Sequence, residues 1–141
     1  MRARDPRTGS ALIEFAAALV LLSGMFAGIF QVGYTFFTYT KLVNAVRAGA
    51  RYASLEAGKS SNADPEFEKS VISMVVYGEP RPGDGAKPVV PGLRPDNVEL
   101  TLGTSAATVS LRDYEVDAIF MKVKLVGRPT VTFPFTGGGV K

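Results

Sequence analysis

From residue 15 to residue 40 the chain runs for 26 residues without a charged side chain, through Phe15, Leu19, Val20, Leu21, Leu22, Met25, Ile29, Val32, Phe36 and Phe37. A helix needs roughly 20 apolar residues to cross the hydrocarbon core of a bilayer, so this stretch suffices for one span. The remainder of the 141 residues leaves room for one small domain and not for two cores. Hydrophobic residues make up 46% of the chain and the mean hydropathy is +0.14. That excess is concentrated before Tyr39. From Gly58 onward the composition is polar and holds most of the prolines.

The formal charge of +3 is uneven. Arg2, Arg4 and Arg7 against Asp5 put +2 into the first nine residues, so the rest carries 3 − 2 = +1. Nucleic-acid binding requires clustered Lys and Arg, and here they are scattered, so no nucleic-acid partner is expected. The chain has no Cys and no His. Disulfides, thiol nucleophiles, zinc sites of the common kind and imidazole-based triads are thereby excluded. No other nucleophile motif stands out and no pair of carboxylates is marked out for acid–base work, so the chain reads as a non-enzyme without cofactors.

A secretory signal peptide has an apolar core of about 7–15 residues followed by a small-x-small cleavage site. The apolar run here is longer, and Gln31-Val-Gly-Tyr34 continues a helix where such a site would lie. A retained signal anchor follows, with any cut made before the helix, between Gly9 and Ser10. The leader arginines favour a cytoplasmic N-terminus and an extracytoplasmic C-terminal domain, although Lys41, Arg47 and Arg51 load the opposite flank.

Glu14 is the informative polar residue. A carboxylate at the centre of a membrane helix costs about 2.5–3.5 kcal/mol, and less near an interface. Two readings are open: a side chain snorkelling at the headgroup boundary, or a charge that pairs with a cation of a neighbouring subunit. The new α-amino group of Ser10, released by a cut after Gly9, would supply such a cation at nearly the same depth.

Small residues recur at four-residue spacing, as Gly24 and Gly28 within the apolar run and as Ala45, Gly49 and Ala53 beyond it. Such rows let helix backbones approach closely. For Gly24 and Gly28 the alternative is that Gly is simply common in membrane helices. Gly49 asks for a packing reason, because Gly costs about 1 kcal/mol against Ala in a helix interior. Leu42, Val43, Val46, Ala50, Ala53 and Leu55 continue the helical period on one side, with Lys41, Arg47 and Arg51 on another. One helix from Ser10 to Leu55 is expected, softened or bent by Gly24, Gly28 and Gly33. Arg47 and Arg51 form a solvated face or recruit an acidic partner.

A break is expected at residues 58–62. Asp64, Pro65 and Glu66 then read as N-cap, first-turn proline and first-turn acid of a second helix, with Phe67, Val71, Ile72 and Val75 on its apolar face and Gly78 at its end. That face is expected against the first helix or the sheet. Residues 79–95 hold five prolines and three glycines and form a long loop. Asp84 and Asp96 lack the spacing of a calcium loop, so no metal site is assigned. Val98, Leu100 and Leu102, then Ile119, Met121, Val123 and Leu125, then Val131, Phe133 and Phe135 alternate with polar residues as half-buried antiparallel strands. Gly127-Arg-Pro129 is expected as the hairpin turn between the last two, with a short extra strand at 108–111. Asp113, Glu115 and Asp117 form an acidic row, a solvated edge or a binding site. Gly137-Gly-Gly139 reads as a flexible tail.

Gly9-Ser-Ala-Leu-Ile-Glu14-Phe resembles the prepilin peptidase site of type IV pilin-like proteins, with Gly before the cut and Glu five residues after it. Asn44-Ala-Val-Arg-Ala-Gly-Ala-Arg-Tyr-Ala53 is similar to the signature at the membrane-distal end of the TadE-like helix. The resemblance covers about Thr8 to Ser54. Ser10 departs from the Phe that many type IV pilins carry after the cut, which puts methylation of a new terminus in question. The resemblance implies a pilin-like α+β fold: a leader (1–9), a transmembrane segment (10–39), a helix extension (40–57) and a small extracytoplasmic domain (58–141) with a second helix and a short antiparallel sheet. It implies a minor pilin or pseudopilin of the tight-adherence (Flp) machinery, single-pass in the bacterial inner membrane or carried into a surface pilus. Its expected partners are other pilin subunits, the assembly platform, prepilin peptidase and membrane lipid. Glu14 would align subunits, and Gly24, Gly28, Ala45, Gly49 and Ala53 would pack helices. The rival reading is a signal-anchored extracytoplasmic binding module unrelated to pili.

Overall fold

The computed structural model describes residues 7–56, 64–118, 121–124 and 129–135. The expected break at 58–62, the residues Ile119, Phe120 and Leu125, most of the Gly127-Arg-Pro129 turn and the glycine tail lie outside them. The first helix, α1, spans Arg7–Glu56. It starts three residues before Ser10 and runs through Gly24, Gly28 and Gly33 as one α-helix. Two compact units divide the chain, Met1–Tyr34 and Thr35–Lys141.

The second unit holds the core. Leu42, Val46, Ala50 and Ala53 of α1 recur three or four residues apart and are fully buried, as one stripe of an amphipathic helix must be. Val43 is only half-buried. Leu55 is 52% exposed, which corrects its assignment to this stripe: two positions after Ala53, it has rotated about 200° off the face.

The second helix, α2, spans Pro65–Tyr77. Asp64 accepts the Glu66 N–H at 3.0 Å, satisfying one of the four donors that a helix start leaves open. Gly78 caps the other end at φ 79° and donates to Met74 O, a left-handed position that favours glycine. Phe67, Val71 and Val75 are buried as expected, joined by Val76, while Ile72 is half-buried.

Three strands form the larger sheet: β1 (Val98–Leu102), β2 (Ala106–Leu111) and, at the far edge, Thr130–Pro134. Two short strands, β3 (Glu115–Asp117) and β4 (Lys122–Lys124), pair separately, which makes the edge strand β5. The large sheet is antiparallel in the order β1-β2-β5. Its register puts Leu100, Val109 and Val131 in one row and Leu102, Ala107 and Phe133 in the next, with Val98 beside Leu111. All share one face, while Thr101, Thr108 and Thr132 share the other, where the Thr108 and Thr132 hydroxyls are 2.9 Å apart. α2 packs along β1.

Two strand expectations are corrected. The segment 108–111 is not an accessory strand but part of the central one, with Ala107, Val109 and Leu111 all buried. The last two strands do not form a hairpin, because β5 pairs with β2 and β4 with β3. Joining β5 to β4 would have left the second backbone edge of β2 without the ladder partner it has here. Asp113 lies outside a strand, at φ 50°. Glu115 and Asp117 face Lys124 and Lys122 across the small hairpin at 3.9 and 3.4 Å. The acidic row is therefore a set of exposed cross-strand ion pairs, which contribute little to stability. Met121 is 62% exposed, so among the described residues of that strand the expected apolar alternation is kept by Val123, which stands opposite Val116.

The long loop is anchored at several points. Val90 and Leu93 are buried, the Val89 N–H donates to Val76 O at 2.8 Å, and the Tyr114 hydroxyl donates to Pro91 O at 2.8 Å. Pro91 and Gly92 occupy the centre of a turn closed by Leu93 N–H to Val90 O, with Gly92 at φ 81°, as a type II turn requires. A short 3-10 turn at Pro95–Asn97 ends the loop. There the Asn97 side chain accepts from Arg94 N–H at 3.1 Å and donates to Arg112 O at 3.1 Å. Asn97→Ala removes both bonds and is expected to lower the stability of this unit by about 1–3 kcal/mol. An unchanged urea midpoint would refute that role.

Backbone direction explains how the β5 edge is closed. Leu111 N–H donates to Pro129 O and Phe135 N–H to Ser105 O, so the odd-numbered residues of β5 bond to β2 and the even-numbered ones face outward. At that outer edge Pro134 has no N–H to offer, and its carbonyl accepts from the Ser54 hydroxyl of α1. Proline and an occupied carbonyl blunt an edge that could otherwise template pairing with another chain.

Candidate functional site

From Leu12 to Phe37 α1 is apolar and, among the described residues, uncovered. Its most apolar 18-residue window has a mean hydropathy of 2.1 and none of it is buried among the described residues. The fourteen large apolar side chains from Leu12 to Phe37 are all more than half exposed. Each would gain about 1.5–3 kcal/mol on leaving water. The sum is tens of kcal/mol, beyond the roughly 5–15 kcal/mol that stabilises a whole domain. Lipid or other helices must therefore cover this surface. By length and composition the helix can cross a membrane once.

Glu14 is exposed, and the Ser10 hydroxyl one turn earlier donates to its Oε1 at 3.4 Å. The side chain thus has a local donor at the position from which the expected α-amino group would come. Gly9 is helical and exposed. A Cβ placed on Gly24 or Gly28 would meet nothing within 4 Å, so neither glycine is used for packing among the described residues.

The second small-residue row behaves differently. Gly49 and Ala53 are buried and Ala45 half-buried. A Cβ at Gly49 would collide with Val75 Cγ2 and stand 3.6 Å from Val71 O. Gly49 therefore allows α1 and α2 of the same chain to touch. Lys41, Arg47 and Arg51 are exposed, with the Lys41 ammonium 4.7 Å from the centre of the Phe37 ring, a cation–π distance.

Two surface grooves escaped sequence reasoning, because each joins residues far apart in the chain. One, of about 410 Å³, lies on the outer face of α2 between Ile72, Tyr77, Pro82 and Pro95. The other, of about 310 Å³, is lined by Lys41, Asn44, Ala45 and Val89. Among the described residues no group of three or more acidic side chains is placed to hold a metal ion.

Comparison with curated proteins and with solved structures gave no match. A family model described as TadE-like protein matches residues 9–51. These begin at the glycine before the expected cut and take in the uncovered apolar helix, Glu14, Gly24, Gly28, Ala45 and Gly49. Over that segment the chain is similar to TadE-like proteins, in agreement with the resemblance its motifs carry.

Proposed function

We propose that the protein is a minor pilin or pseudopilin of a tight-adherence (Flp-type) pilus system. It is held in the inner membrane by residues 10–39 with its C-terminal domain outside the cytoplasm, and prepilin peptidase cuts it after Gly9. The observation that carries this reading is the bare apolar surface of α1 within the TadE-like match. Such a surface suits both stages of a pilin's life, lipid before assembly and neighbouring helices after it. Glu14, one turn past Ser10, sets the stagger between subunits by pairing with the Ser10 α-amino group of a neighbour. Gly24 and Gly28 admit a second helix. The protein is the peptidase's substrate and performs no catalytic step of its own.

Intact-mass measurement of membrane-extracted protein tests the assignment. With an active prepilin peptidase present, the mature species is expected to start at Ser10, and Gly9→Val is expected to retain the leader. Full-length protein beside an active peptidase would overturn the reading.

One observation favours the anchored binding module: the apolar groove between Ile72, Tyr77, Pro82 and Pro95. That reading makes α1 a tether, so function would survive loss of the Glu14 charge.

A further inference from the structure

The cations that weigh against the assigned orientation, Lys41 foremost, have no role in helix packing. Within the second unit they stand where α1 changes character. Phe36 and Phe37 are 72% and 57% exposed and Tyr39 is 37% exposed; one turn later come Lys41, Asn44 and Arg47, also exposed. Aromatic and basic residues gather in this way at a membrane–water interface.

The long loop reaches the same level. Val89 lines the groove with Lys41, Asn44 and Ala45 and is 44% exposed. Its exposure is imposed from both sides: its N–H is tied to Val76 O at 2.8 Å and the next residue, Val90, is fully buried. Two residues before it, Lys87 is exposed, just after a turn closed by Ala86 N–H to Gly83 O. An apolar tip with a cation beside it, held against the base of a membrane helix, has the composition of an interfacial anchor.

We propose that Lys41, Lys87 and Val89 form a headgroup-binding lip, in which the two ammonium groups engage the phosphate of an anionic lipid and Val89 enters the boundary of the acyl region. The inference rests on the membrane reading of α1. It gives the 79–94 loop a function, fixing the height of the distal domain over the bilayer. It also explains cations on the outer flank: they bind headgroups there and do not determine which end stays inside.

The test uses the full chain in vesicles. The sequence has no Trp and no Cys, so Val89→Trp and Phe26→Trp each give a single reporter, and Ala86→Cys carrying a polarity-sensitive dye reports on the loop without altering the groove. In phosphatidylglycerol vesicles, Val89→Trp is expected to shift to the blue and to be quenched by lipids brominated near the headgroup, and the dye at residue 86 is expected to report a less polar surrounding. Both signals should fall in phosphatidylcholine. Lys41→Gln and Lys87→Gln should each lower the ratio of lipid-contacting to free loop roughly fivefold, from about 1 kcal/mol per cation at an anionic surface. If Phe26→Trp is quenched but neither loop reporter responds to lipid, the lip is overturned and the span stands. If Phe26→Trp is unquenched even by lipids brominated deep in the acyl chains, the membrane reading itself fails. A Trp at residue 89 that is shielded from aqueous quencher yet untouched by brominated lipid would mean that protein covers the groove, which also overturns the proposal.

Discussion

Gly49→Leu is expected to destabilise the distal unit by about 3 kcal/mol or more, the upper range for forcing extra methylenes into a packed core. Even one carbon at this position meets Val75 Cγ2, and Val75 is fully buried, so its methyl must shift within a packed core. Gly49→Ala decides the sign. On an open helix face the change would stabilise by about 1 kcal/mol, whereas here the collision reverses it. Combining Gly49→Ala with Val75→Ala should recover part of the loss, since contacting residues couple by about 0.5–3 kcal/mol. Urea unfolding of the detergent-solubilised protein, followed by far-ultraviolet circular dichroism, gives all three values. A Gly49→Ala protein more stable than its parent would show that α1 and α2 do not meet here.

Glu14→Gln is expected to leave membrane insertion intact or to ease it, because the charge costs up to about 2.5–3.5 kcal/mol in a membrane helix. Leader removal should also be unaffected. Surface pili, by contrast, should fall about tenfold or more, as every 1.4 kcal/mol of lost pairing is a factor of ten in association. Gln keeps the shape and can still accept from the Ser10 hydroxyl, so a loss would be assigned to the charge and not to the local hydrogen bond. Immunoblotting of sheared pili against membrane fractions separates the outcomes. Normal piliation would refute the alignment role and favour an anchored module.

Local signals read well wherever the cause is local. Asp64, Pro65, Glu66 and Gly78 mark both ends of α2 because a helix terminus is solved by its own neighbouring residues. The alternation in β1 and β5 survives because each strand turns its apolar residues to a more covered face and its threonines to a wetter one. The expected β4–β5 hairpin fails for the opposite reason. Residues 127–129 have turn chemistry, but pairing depends on which backbone edges meet once the sheet assembles, and β5 meets the open edge of β2. The central strand, β2, reads as accessory in the sequence because Ser110, Thr108 and Ala106 dilute its apolar pattern, whereas its central place comes from one neighbour on each side, β1 and β5.

The candidate site divides along the same line. The bare apolar helix is legible in the sequence alone, since length and the absence of charge are properties of a continuous segment. The fate of the small residues was not. Gly24–Gly28 and Ala45–Gly49–Ala53 share one spacing, yet among the described residues a Cβ at either glycine of the first pair meets nothing, while Gly49 is spent on contact with α2. Spacing shows that a helix face is able to accept a close neighbour. Which neighbour arrives depends on contacts between residues such as Gly49 and Val75, far apart in the chain and brought together only when the core forms.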